Sequence, residues 1–142
     1  MARTAVTVTT LTANTVVADV EGTALDPTNG HVIDCSTFRL EDVVLRIVNT
    51  LDAEKAVTIL AGDNPPAMEA GLGAVTVTCA AATITEYWDA EVAGTPVDIT
   101  TPVVKWVTVL ASGRHLQSDG KLHVDVAASM TGFITAFRIP RH

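Results

Sequence analysis

Aromatic side chains are scarce in this sequence, with two Trp, one Tyr and three Phe making up 4% of 142 residues. A core without large rings must be assembled from Val, Leu, Ile and Ala, so its packing units are small and numerous. Cysteine is nearly absent too. Cys35 and Cys79 exclude a disulfide framework, and two separate buried thiols are expected, with a single bridge as the alternative. Basic residues are few. Nine Lys and Arg against 16 Asp and Glu leave a formal charge of -7, which repels a phosphate backbone and argues against direct nucleic-acid binding. No apolar run approaches the roughly 20 residues that cross a bilayer. The opening Met1-Ala-Arg-Thr-Ala-Val-Thr-Val alternates at once, unlike a secretory signal. Synthesis in a cytoplasm, with no membrane partner, is therefore expected.

What the sequence has is β-branched residues, with 20 Val and 21 Thr. Their stiff first torsion suits a pleated, half-buried surface better than a helix. Period-two alternation begins over residues 4–10, with Val6 and Val8 on one face and Ala5, Thr7 and Thr9 on the other. Residues 21–30 carry Gly22, Pro27, Asn29 and Gly30, and read as an exposed loop or arm. Residues 42–50 are almost wholly apolar and give the best central strand. Leu51-Asp52-Ala53-Glu54-Lys55 then turns the chain and residues 56–61 return, which predicts an antiparallel hairpin.

The segment 62–73 holds Pro65, Pro66 and three glycines, which excludes a regular helix or a central strand. Strands are predicted at 74–79, 83–88, 103–110, 121–127 and 133–139, with a long connection over 89–102. Asp119-Gly120 suits a tight two-residue turn. The length fits one domain. Eight to ten short strands, with no helical period beyond about two turns, predict an all-β fold: a single-domain β-sandwich or jelly roll, antiparallel with long loops, and a closed barrel as the alternative. Residues 1–20 form a strand or an arm, and residues 21–142 the sandwich.

Residues that could carry chemistry are sparse. His31, His115, His123 and His142 show no His-x-His or His-x-x-x-His spacing for a shared metal. His115 and His123 flank the Asp119-Gly120 turn with Asp125 nearby, but solvated strand positions are the simpler reading. The 62–73 segment lacks the Gly-Lys-Ser/Thr ending of a phosphate loop. Asp63 and Glu69 share a loop without a geometry for acid and base catalysis. Trp88 and Trp106 suit a subunit interface or core anchor better than a sugar platform. No catalytic, cofactor-binding or metal-binding residue is assigned, and no enzyme activity is expected.

Three stretches in one order carry a resemblance. They are Ala61-Gly62-Asp63-Asn64-Pro65-Pro66-Ala67, with Gly71-Leu72-Gly73 and a Val-Thr-Val-Thr strand after it; then residues 112–125 around Gln117-Ser118-Asp119-Gly120; and last Thr131-Gly132-Phe133-Ile134-Thr135-Ala136-Phe137-Arg138-Ile139-Pro140-Arg141. Over roughly residues 43–141 the chain resembles the small capsid decoration, or cement, proteins of tailed bacteriophages, notably those infecting actinobacteria. The resemblance implies a sandwich bound to the outer surface of a shell built by the major capsid protein of the same phage, as a homotrimer at three-fold positions. It also implies a location on the virion exterior, no catalysis and no cofactor. A tail or head-completion component is the first alternative, and a carbohydrate-binding module the second.

Such a protein needs contact surfaces rather than an active site. Candidate capsid or subunit contacts are Thr4, Val6 and Val8 if the N-terminal strand adds to a neighbour. Asp63, Asn64, Pro65, Pro66 and Met68 are candidates if the proline loop is a clasp, and Trp88 and Trp106 as anchors. Proline pairs lower the entropy a loop loses on binding.

Overall fold

The computed structural model describes residues 2–63, 73–88, 96–108 and 112–139; for 84–88, 96–99 and 112–113 it describes the backbone. The strands are β1 (Thr4–Ala5), β2 (Val8–Thr10), β3 (Thr23–Ala24), β4 (His31–Asp34), β5 (Val43–Asn49), β6 (Lys55–Ile59), β7 (Val75–Cys79), β8 (Thr83–Trp88), β9 (Pro96–Thr101), β10 (Val103–Thr108), β11 (Lys121–Val126) and β12 (Gly132–Arg138). A 3-10 turn at Leu40–Asp42 and a short helix α1 at Ser112–His115 accompany them. The fold is all-β. One sheet, A, has the order β1-β4-β11-β6-β7; the second, B, has the order β10-β5-β12-β2, with β3 also on β12.

The two sheets face each other across an aliphatic core, as the composition requires. Ile33, Val57, Ile59, Leu122 and Val124 come from sheet A, and Val43, Leu45, Ile47, Ile134 and Ala136 from sheet B; all are almost fully buried. Period two explains the choice, since β11 alternates buried Leu122, Val124 and Val126 with half-buried Lys121, His123 and Asp125. Strand β5 lies between β10 and β12, as its apolar run predicts. Cys35 and Cys79 are free and buried.

Several expectations are corrected. The sheets are mixed rather than antiparallel, because β1 joins β4 and β2 joins β12 in parallel. One N-terminal segment thus crosses from sheet A to sheet B, with Val6 buried between them. The predicted hairpin between residues 42–50 and 56–61 does not form. Asn49 is the reason: its buried side chain donates to the carbonyls of Ala53 and Ala80 (3.0 and 2.8 Å) and accepts from Leu51 N–H at 3.1 Å. These bonds fix a turn that carries the chain over to sheet A.

The long connection over 89–102 contains β9, which starts at Pro96 opposite Trp88. A proline is tolerated at the first position of a strand. Residues 21–30 are no free arm, since β3 pairs with β12 and Asp26 fixes the turn that follows. The turn at Asp119-Gly120 has three residues rather than two. Gly120 N–H bonds to the Gln117 carbonyl, Gln117 N–H bonds to Lys121, and Gly120 takes a φ of 78°, which closes a type I turn with a bulge.

Candidate functional site

The outer face of sheet B carries a surface that sheet propensity alone does not explain. Val44 and Arg46 of β5, Trp106 of β10 and Phe137 of β12 occupy this face. The register sets Trp106 beside Arg46 and Phe137 beside Val44. The Trp106 ring is tilted 32° to that of Phe137, with centroids 5.8 Å apart, and remains 60% exposed. Arg46 holds its guanidinium 6.0 Å from the centre of the same indole.

Residues 11–22 form a strap across this face. It leaves β2 with Leu11 N–H on the Arg138 carbonyl and returns as β3 against Ile134. Those anchor points are four residues apart on β12, about 13 Å at strand rise. The strap could span about 40 Å if extended, so it has slack to arch over the sheet. It is held by Arg46, which donates to Asp19 and to the Val20 carbonyl, both at 3.3 Å, and by Thr135 Oγ1 at 3.5 Å from the Glu21 carbonyl. Gly22 ends it at a φ of 97°, where any side chain would meet Thr135 and the Ile134 carbonyl.

Between strap and sheet lies an apolar groove of about 420 Å³, walled by Leu11 and Val17 and floored by Val44, Trp106 and Phe137, with Ile139 at one end. Val16 is 97% exposed; Val17, Val20, Val104 and Ile139 are each more than a third exposed. Val17, Trp106 and Ile139 line the groove together, and large apolar side chains exposed in one place mark an interaction surface. Chemically the groove offers van der Waals and aromatic contact around one Arg46–Asp19 ion pair.

The other predicted contacts fall elsewhere. Thr4 is half-buried and donates to Asp26 at 2.6 Å, Val6 is in the core, and Val8 packs against the core's edge. These three seal the chain's own sandwich. Asp63 is exposed and accepts from both the backbone N–H and the hydroxyl of Ser118, which hold its carboxyl below the ordinary range. Gln117 donates to the Ala61 carbonyl at 2.9 Å, Gly62 N–H to Arg114 at 2.6 Å, and His115 Nδ1 lies 3.1 Å from the Leu60 carbonyl. Two stretches that carry the resemblance, 61–63 and 114–118, therefore meet. Asn64, Pro65, Pro66 and Met68 lie outside the described residues, as does the Trp88 side chain.

Among the described residues no group of three or more His, Cys, Asp or Glu side chains could hold a metal ion. His115 is buried rather than solvated, and burial lowers its pKa and that of His31. Burial likewise pushes the Cys35 thiol up to about 12, helped by the Asp34 charge, and raises Cys79. Thiols so shifted are poor nucleophiles. Sequence reasoning read residues 1–20 as a strand or an arm without placing the strap on sheet B, because Val16-Val17-Ala18-Asp19-Val20 follows neither strand nor helix period. No protein-family model, no curated protein and no solved structure matches the chain.

Proposed function

We propose that this chain is a non-enzymatic structural protein of a phage virion that binds the outer surface of the capsid shell and stabilises it. The exposed apolar surface of Trp106, the strap and the groove between them carries this reading, together with the resemblance of residues 43–141. A shell-binding protein requires a rigid body and a desolvatable patch, and here an aliphatic sandwich supports both. Its partner is the major capsid protein of the same phage, and simultaneous attachment of three linked copies raises the effective concentration of each contact.

The test is to pellet undecorated capsids with wild-type protein and with Trp106→Asp. Capsid affinity should fall by about tenfold or more, as for a central aromatic anchor, with the melting temperature nearly unchanged because the ring is 60% exposed. Equal binding by both would remove the surface from the interface. The exposed indole also favours a second reading, carbohydrate binding. Arg46 and Phe137 both lie against that indole, which leaves less of it for a sugar. Glycan binding that is lost in Trp106→Asp, without capsid binding, would favour the second reading.

A further inference from the structure

The edges of the two sheets are unequal. At one end of each order stand β1 and β2, with two and three residues; at the other stand β7 and β10, with five and six, lying close to one another. Short edges resist pairing with other chains, whereas long ones invite it. Between β7 and β10 the chain forms β8 and β9, which pair with each other over six positions and, among the described residues, with no strand of either sheet. A two-stranded ribbon alone is marginal in water and needs a third strand or a packed face.

The molecule cannot supply that strand from β10. Only Pro102 separates Thr101, the end of β9, from Val103, the start of β10. The tightest common hairpin needs two residues, so β9 cannot fold back along β10. The turn before β8 is held too, by Asn49 on the Ala80 carbonyl and by Ala82 N–H on the Leu51 carbonyl, both at 2.8 Å. The charges of ribbon and edge are complementary. The register sets Glu86 opposite Asp98, and residues 83–88 and 96–101 include no Lys or Arg. Acidic residues opposed across a ladder destabilise it unless a cation joins them. The one charged residue of β10 is Lys105, which is exposed; the rest are Val103, Val104, Trp106, Val107 and Thr108.

We propose that the β8–β9 ribbon of one molecule adds to the β10 edge of a second copy of this chain, an edge unpaired among the described residues, extending sheet B and bringing the acidic ribbon alongside the strand that carries Lys105. Donor and acceptor are different surfaces, and each molecule has one of each. Contact is therefore head-to-tail and propagates until a ring closes. The count of three copies rests on the proposed function; the strand addition does not.

Sedimentation velocity on the full chain, without capsids and over a concentration series, tests this with wild type, Lys105→Glu, Asp98→Lys and the double variant. Wild type should form a closed oligomer, each single substitution should weaken it by about tenfold or more, and the double variant should recover. A second measurement covers a variant that fails to fold: amide exchange of wild type, in which the β10 amides should gain protection as the oligomer forms. A chain monomeric at every concentration, single substitutions without effect, a folded double variant as weak as the singles, or β10 amides with no added protection would each overturn the proposal. Oligomers that bind no capsid would sink the capsid reading alone. Capsid binding by a strictly monomeric chain would sink the strand addition alone.

Discussion

Asn49 does more for the topology than its size suggests. It is fully buried at the end of β5, and its side chain satisfies three backbone groups from loops of both sheets. Replacing it with Ala would remove the donors of two part-buried carbonyls and the acceptor of one N–H, at about 0.5–1.5 kcal/mol for each lost bond. Asn49→Ala should therefore lower stability by about 2 kcal/mol or more, read as a lower urea midpoint at unchanged slope. An unchanged midpoint would mean water replaces the amide. Trp106 differs in kind. Read as an interface or core anchor, it is 60% exposed, while Val6, read as a contact of an N-terminal strand added to a neighbour, is 6% exposed inside the chain's own core.

At the scale of elements, alternation was readable wherever a strand was long and faced one core. Strands β5, β7, β8, β10, β11 and β12 lie close to their predicted ranges for that reason. What failed was pairing. Strand β4 has four residues, too few for a period, and the sequence gives no sign that it joins β1 in parallel. The strap was invisible because it depends on Arg46, 27 positions from Asp19. Removing residues 2–10 should thus act on folding first, since β1, Val6 and β2 belong to the sandwich. A calorimetric scan of the truncated chain should show a broad or missing transition; a wild-type transition would make this segment an accessory arm. Deleting residues 13–19 should instead keep the transition and lose the proposed capsid binding, because those residues are exposed outside the sheets.

For the whole molecule, acid acts in two stages. Burial lowers the pKa of His31 and His115 below the ordinary 6.5, and His31 Nε2 already accepts the Asp26 N–H at 3.0 Å, so its protonation breaks that bond. A histidine with a depressed folded pKa favours the folded state fully above pH 6.5, and that stability is lost as pH falls below it. Hydrogen bonds hold the carboxyls of Asp26, Asp34 and Asp63 below the ordinary 3.8, a contribution present above that pH and lost as pH falls further. The melting temperature should be flat from pH 8 to about 6.5, decline toward pH 5, and fall again below pH 4. A rise between pH 6.5 and 5 would contradict the buried neutral state of both histidines.

The central claim is attachment to a capsid, and it is tested most directly by mixing the purified chain with undecorated capsids of its parent phage. Bound copies per shell and the melting temperature of the shell are then measured together. Saturation at a copy number set by the three-fold positions, with a higher shell melting temperature, is the expected result; no co-pelleting at any concentration would contradict it.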